Sequence, residues 1–480
     1  MGEGKGIDLM QEAVHTTEIP LHWVEDEGTR LDASFYTQDS IEARILFDEL
    51  EANNLRIETI GDLTKEVDHR SRFKRDYADE DQGEPYVTPT DMFMFPLEPR
   101  KYIANPPDGL KAEPGWILLT CSGTVGRSLI ANQYLSECIL THDLIRVIPN
   151  SDGIRGYLYA FINSWVGQAL LTKDEYGATV KHIEPHHVES IPIPRIPDLE
   201  TEMNNLVTRM QANREEAERL MREVKSDIHR LLELPEVDEF HSGFSDTGEQ
   251  NSARVFMATS DRLRNRIDAP YYKPIIQQAT DALEESPCDI AKVGDMITRM
   301  FIPSRFKRPY VDDPSDGIPF MSGSHLVQIK PLDLKYLWED MDGIEDVLLE
   351  EGWVLMSRSG TVGRMRIVDE FISDCAASEH VLRLVPEKTV NPGYLMAFLN
   401  SDYGQIQIDG KVYGAVVDEI AENDTSLIED IDIPQPSEEI QTEIGDKVMN
   451  AYELIGEANE LEQRAIAKFE SELENKRNES

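Results

Sequence analysis

The chain has 480 residues, 91 acidic against 47 basic side chains and a formal net charge of −44, with 40% hydrophobic and 29% charged residues. That length and composition allow several domains with buried cores and exclude a largely disordered polymer. No apolar run approaches the ~20 residues of a membrane helix, the start has no signal-peptide core, and four cysteines make no CxxC pair, so a soluble, cytoplasmic protein is expected. The charge argues against a protein that holds nucleic acid by bulk attraction. It fits a salt-adapted surface, a partner-facing acidic face or mimicry of DNA's own charge.

In chain order, residues 1–25 read as an N-terminal arm and 26–197 as a mixed α/β domain. The domain holds a basic run, Ser71-Arg-Phe-Lys-Arg-Asp-Tyr77, and a buried strand opening at Gly115-Trp-Ile-Leu-Leu-Thr120. The strand leads into a Ser-Gly-Thr-Val-Gly turn closed by Arg127. A second strand, Leu144-Ile-Arg-Val-Ile148, ends at Pro149, and Tyr157 to Ser164 reads as a short helix. After Ile191-Pro-Ile-Pro194 a helical period takes over across 198–235, with a seam of Met203, Leu206, Met210, Ala217, Leu220, Val224, Leu231 and Leu234 interrupted by Asn213 and Asp227. Residues 236–261, without a period, read as linker.

The sequence then repeats itself. Residues 262–436 carry Ser304-Arg-Phe-Lys-Arg-Pro-Tyr310, Gly352-Trp-Val-Leu-Met-Ser357 with a turn closed by Arg364, Tyr394-Leu-Met-Ala-Phe-Leu-Asn-Ser401 and Ile431-Asp-Ile-Pro-Gln-Pro436. Arg30 to Tyr36 pairs with Arg266 to Tyr272, and Tyr176-Gly-Ala178 with Tyr413-Gly-Ala415. Residues 437–480 form a second helix, with Ile444, Val448, Ala451, Leu454, Ile455, Ala458, Leu461, Ala465 and Phe469 on its apolar stripe. The fold class expected is mixed α/β, a tandem-duplicated domain, with two long helices forming an antiparallel coiled coil. The alternative is two separate amphipathic helices, each on its own core.

Catalytic signatures fail one by one. Asn105-Pro-Pro-Asp108 resembles an adenine-methyltransferase motif but lacks the aromatic that stacks on a flipped base, and no glycine-rich cofactor loop precedes it. His182, His186 and His187 invite a metal reading, yet their counterparts in the second half are acids and Asn. Cys138 and Cys375 are duplicate positions and read as small core residues. No catalytic, cofactor or metal site is expected in this chain.

Clustered bases in so acidic a chain are informative. Arg70, Arg72, Lys74 and Arg75 sit together, and Arg299, Arg305, Lys307 and Arg308 recur; Arg127 and Arg364 close the two turns. An aromatic lies inside each run, Phe73 and Phe306, and another at its end, Tyr77 and Tyr310. These bases, with Thr124 and Thr361 of the turns, are the candidate DNA contacts. Arg358, where the first half has Cys121, is added as a contact that only the second domain would make. The competing reading pairs the bases with carboxylates of their own domain.

Two copies of one domain spaced by long helices, with these turn blocks and Ile-Pro-Ile-Pro or Ile-Asp-Ile-Pro-Gln-Pro ends, resemble the specificity subunit of type I restriction–modification enzymes. Glu438-Glu-Ile-Gln-Thr-Glu-Ile444, opening the second helix, adds to the likeness, which covers almost all of the chain past about residue 25. Two departures are the acidity and the missing Gln at the start of the first helix, Thr201-Glu-Met203. The resemblance implies two target-recognition domains (26–197 and 262–436), spacer helices (198–235 and 437–480), and no catalysis of its own. It implies selection of a bipartite, asymmetric double-stranded DNA sequence, two methyltransferase subunits using S-adenosylmethionine, and motor–nuclease subunits outside. The rival from another class is an acidic DNA mimic that occupies and blocks such an enzyme; the repeated basic runs count against it.

Overall fold

The computed structural model describes residues 19–26, 35–173, 181–237, 256–257, 269–412, 419–420 and 426–479. Residues 30–34 and 266–268, both Tyr-Gly-Ala repeats and most of the expected linker lie outside the described residues. In the first half, strands β1 (Ile57–Thr59), β2 (Thr64–His69), β3 (Tyr77–Ala78), β4 (Glu84–Val87) and β5 (Lys101–Ile103) precede β6 (Ile117–Thr120), β7 (Ser128–Ile130), β8 (Ile139–Leu140), β9 (Leu144–Pro149) and β10 (Pro192–Pro194). The second half supplies β11 (Asp289–Lys292), β12 (Ile297–Phe301), β13 (Tyr310–Val311), β14 (Gly317–Met321) and β15 (Lys335–Trp338). It continues with β16 (Val354–Ser357), β17 (Met365–Ile367), β18 (Ala376–Ala377), β19 (Val381–Pro386) and β20 (Asp432–Gln435).

Each strand has its counterpart ten strands later. The sheet orders β2-β9-β6-β7, β3-β5-β4-β8 and β1-β10 recur as β12-β19-β16-β17, β13-β15-β14-β18 and β11-β20. The register repeats as well: Leu118 lies opposite Arg146, and Leu355 opposite Arg383. Strands β6 and β16 are buried along their length, which is why each reads as a continuous apolar run instead of an alternating one.

Helices α1 (Leu21–Asp26), α2 (Gln38–Ala52), α3 (Gln133–Ser136), α4 (Asp152–Asn163), α5 (Trp165–Lys173), α6 (Pro185–Glu189) and α7 (Pro197–Leu231) belong to the first half. Helices α8 (Pro274–Glu285), α9 (Glu370–Ser373), α10 (Pro392–Asn400), α11 (Asp402–Lys411), α12 (Ser426–Glu429) and α13 (Glu438–Asn478) belong to the second. The long helices have 35 and 41 residues, so α7 spans about 52 Å and α13 about 62 Å. Pro197 opens α7 with Asp198 and Glu200 in its first turn, where the helix dipole favours acids. Glu233, at a φ of 53°, turns the chain away, so Leu234 lies beyond the helix although it stays buried.

Each long helix crosses its own domain where only a glycine fits. A Cβ on Gly156 of α4 would stand 2.7 Å from the Met203 carbonyl oxygen of α7, and one on Gly393 of α10 would stand 2.1 Å from that of Gly445 on α13. Tyr157 then donates to the Pro194 carbonyl at 2.6 Å, and Tyr394 to the Pro434 carbonyl at 2.7 Å. The proline-rich ends are therefore strands tied to the helix that precedes the crossing.

The two helices pack against each other running in opposite directions: Lys447 reaches Asp227 at 2.6 Å, Asn213 donates to Glu457 at 2.9 Å, and Arg214 reaches Glu462 at 3.1 Å. Met203, Met210, Ala217 and Val224 are buried on α7, as are Ile444, Val448, Ala451, Ile455, Ala458, Ala465 and Phe469 on α13. Of the two polar breaks read in the first seam, Asp227 is buried and Asn213 is not; the buried polar residue beside Asn213 is Arg214. Its guanidinium donates to Asn459 and Glu462, and Glu462 also takes Tyr159 of the first half at 2.5 Å and Lys330 of the second at 3.1 Å.

The halves also touch directly. Phe95 N donates to the Val327 carbonyl at 2.8 Å and Ile329 N to the Phe93 carbonyl at 2.7 Å, around a bridge of Met94 with Gln328. Pro85 and Tyr102 recur as Pro319 and Tyr336, an offset of 234, so Phe93 to Phe95 corresponds to Val327 to Ile329. Equivalent segments thus meet antiparallel, as two copies do across a local two-fold axis.

Candidate nucleic-acid interface

Three segments of each half meet at one end of the β2-β9-β6-β7 sheet or its copy: the basic run, the residues just before the long strand β9 or β19, and the glycine turn. Gly123 and Gly126, at φ of 78° and 91°, and Gly360 and Gly363, at 77° and 83°, adopt left-handed backbone that side chains disfavour, hence the glycines in the turn. The turn is stapled from within. Thr120 Oγ1 donates to the Thr124 carbonyl at 2.6 Å and accepts from Arg127 N at 3.1 Å; Ser357 Oγ bonds Thr361 and Arg364 in the same way at 2.5 and 2.9 Å. Thr124 and Thr361 stand exposed at the tips.

The bases of the first run divide in two. Arg70 pairs with Asp68 at 2.5 Å and donates to the Gly109 carbonyl, and Lys74 pairs with Asp76 at 2.6 Å. Arg72 and Arg75 are exposed; Arg72 Nε donates to His142 Nε2 at 2.7 Å, Arg75 Nη2 lies 3.4 Å from its Nδ1, and neither pairs with a carboxylate among the described residues. Arg75 also stacks over Tyr86, whose ring meets Phe73 edge-on. Burial, then Arg72, Arg75 and His69, press the His142 pKa below the ordinary imidazole value, against the pull of Asp143.

The second run differs. Arg308 is held by Glu379 at 2.6 Å, and the pair raises the arginine's pKa over the cost of burial and keeps the carboxyl low. Arg305 and Lys307 are exposed. Arg299 stacks over Phe301 with 4.2 Å between its guanidinium and the ring centroid; it lies opposite Val385 as Glu66 lies opposite Ile148, so its counterpart is Glu66 and not Arg70.

Two further candidates, Arg358 and Arg127, are placed otherwise than expected. Arg358 is fully buried: it donates to the carbonyls of Glu379 and Ile420 at 2.7 and 2.9 Å and pairs with Glu419 at 2.5 Å. It therefore braces its own domain and has no surface to offer DNA, which corrects the expectation drawn from its pairing with Cys121. Where Arg358 pairs with Glu419, the first half has Cys121 and His182, its β-bridges Ser122–His182 and Ser359–Glu419 being equivalent. Arg127 is half-buried and pairs with Asp333 of the other half, so it ties the halves together. Its copy, Arg364, lines a cleft with Glu98, Arg100, Asn400 and Asp402.

His142 and Glu379 went unnoticed in the sequence, although aligning the repeats sets His142-Asp143 against Glu379-His380. The histidine cluster has local duties: His182 pairs with Glu184 at 3.2 Å, and the His187 ring accepts from Glu184 N as an α6 cap. Among the described residues no group of three His, Cys, Asp or Glu side chains could hold a metal ion, and no helix is long and apolar enough to cross a membrane.

The chain is similar to solved specificity subunits. The S subunit of a type I restriction–modification system from M. genitalium is 12% identical, covers 88% of this chain and 96% of its own, and gives a TM-score of 0.36. The HsdS subunit from Thermoanaerobacter tengcongensis is 13% identical over 87% and 96%, with a TM-score of 0.26. A structure reported for complex assembly and conformational transition of the type I R-M system is 13% identical over 88% and 96%, at 0.28. No family model and no curated protein matches the chain.

Proposed function

We propose that this chain is a non-catalytic DNA-recognition subunit that reads a bipartite, asymmetric double-stranded target and scaffolds two methyltransferase subunits, with motor–nuclease subunits outside. One observation carries the reading: a domain is built twice, strand for strand, on two antiparallel helices, with a basic run and glycine turn at the same end of each copy. Two such copies suit a target with two half-sites at fixed separation, and differences between the copies make the target asymmetric. S-adenosylmethionine belongs to the partner methyltransferases. Most of the chain's negative charge then faces those partners, while the exposed bases at the sheet ends contact phosphate.

The test is genome-wide methylation mapping of cells carrying the methyltransferase subunits that co-purify with this chain, with and without it. Methylation at one split motif only when the chain is present is the expected result. A map unchanged by its removal refutes the reading.

A further inference from the structure

Just before β9 and β19 the two halves carry the same residue types in opposite order, His142-Asp143 and Glu379-His380, at an offset of 379 − 142 = 237. The backbone there is alike. Asp143 O accepts from Cys121 N at 3.2 Å and His380 O from Arg358 N at 3.0 Å, while Thr141 and Ser378 hydroxyls each take the N–H two residues on at 3.3 Å. In both copies it is the first residue of the pair that contacts the basic run directly. Asp143 accepts from the Thr141 hydroxyl at 2.9 Å and lies 3.4 Å from His142, and His380 Nδ1 lies 2.8 Å from Ser359 Oγ at the glycine turn.

The swap decides the charge that each basic run shows to solvent. In the first half two exposed guanidiniums, Arg72 and Arg75, gather around an imidazole whose ionisation is opposed by burial and then by their own charge, against the pull of Asp143. In the second half a carboxylate occupies the place of that ring and engages Arg308, the copy of Arg75. A phosphodiester oxygen brought to the first cluster meets two cations that pair with no carboxylate among the described residues, the Asp143 carboxylate lying against His142 instead. Brought to the second, it must displace Glu379 or share Arg308 with it.

We propose that Arg72, Arg75 and His142 form a phosphate-binding site that the second domain lacks because Glu379 fills it, so that the first recognition domain supplies the stronger backbone grip on duplex DNA. This rests on the DNA-recognition reading above and adds an order to it. The first half-site anchors the complex, and the second is read with less electrostatic help.

The experiment measures anisotropy of a labelled random-sequence duplex bound by the full chain over a salt series. Each phosphate contact contributes about 0.9 to the slope of log affinity against log salt. His142→Glu plants the second half's carboxylate in the first cluster and is expected to lower the slope by about 0.9 to 1.8. His142→Gln, uncharged, leaves the slope within about 0.3 of the parent, far less than one contact's 0.9. Glu379→Gln frees Arg308 and raises the slope by about 0.9, a gain that misfolding cannot produce. If the parent chain binds the duplex and either His142→Glu or Glu379→Gln leaves the slope unchanged, the inequality is wrong and the recognition reading stands. If the parent chain retains no duplex at any salt, DNA contact by this chain fails, and the inference fails with it.

Discussion

Two buried glutamates on the paired helices carry opposite titration behaviour, and replacing one of them tests the packing directly. Glu218 of α7 is 2% exposed and its oxygens accept from Leu97 N at 3.0 and 3.2 Å. Burial outweighs that hydrogen bond and the pull of Arg222, and its carboxyl is pushed up to about 7. Glu462 of α13 is 5% exposed, but Lys330, Arg214 and the Tyr159 hydroxyl hold it at about 2 despite the same burial cost. Both start from 4.5 when unfolded. Between pH 4.5 and 7 the folded chain therefore holds a proton on Glu218 that the unfolded chain releases. The stability this contributes is full below 4.5 and lost as pH rises through 7; at about 1.4 kcal/mol per pH unit it is about 3 kcal/mol. Gln at position 218 still accepts from Leu97 N and cannot ionise. Glu218→Gln should thus stabilise the protein by up to about 3 kcal/mol at pH 8, and by almost nothing at pH 4.5. Urea midpoints followed by circular dichroism at the two pH values, with an unchanged m-value, measure it. An equal effect at both pH values, or a loss at pH 8, would refute the argument that the burial of Glu218 outweighs the pull of Arg222.

Glu462→Gln should do the reverse, costing about 3–5 kcal/mol at pH 8 because it leaves buried Arg214 without its anion; the same urea series reads it. Arg358→Ala should cost about 2–3 kcal/mol in the urea midpoint and leave DNA salt dependence unchanged, since the guanidinium serves the carbonyls of Glu379 and Ile420 and the carboxylate of Glu419. Arg358→Cys combined with Glu419→His, which copies the first half's Cys121 and His182, should lose less than Arg358→Cys alone in a double-mutant cycle. One heptad inserted after Ala217 and another after Ala458 keeps the seam, moves the halves about 10.5 Å apart and separates Phe95 from Val327. Methylation mapping should then show unchanged half-sites with a longer gap; an active variant with the original gap would mean that the helices do not set the spacing.

The repeat, the strands opening at Gly115 and Gly352, the turns and the apolar stripes of the long helices are legible in the sequence because each depends on local pattern. A short continuous apolar run, a 3.5-residue period and a glycine needed for a left-handed turn are all written within a few residues. Even the two domains' shared topology follows from recognising that one segment is written twice. What each base does is another matter, because it depends on partners far away in the chain. Arg358 and Arg72 look alike as letters, yet one is sealed between Glu379, Glu419 and Ile420 and the other stands exposed beside His142. Arg127 becomes a tie between halves only because the local two-fold contact of Phe93 to Phe95 with Val327 to Ile329 brings Asp333 to it. The sequence by itself determined that there are two copies and where their helices lie. Only the tertiary structure decided which charges meet a carboxylate and which stand exposed without one among the described residues, because the potential around an arginine depends on whatever the fold places within a few ångströms of it.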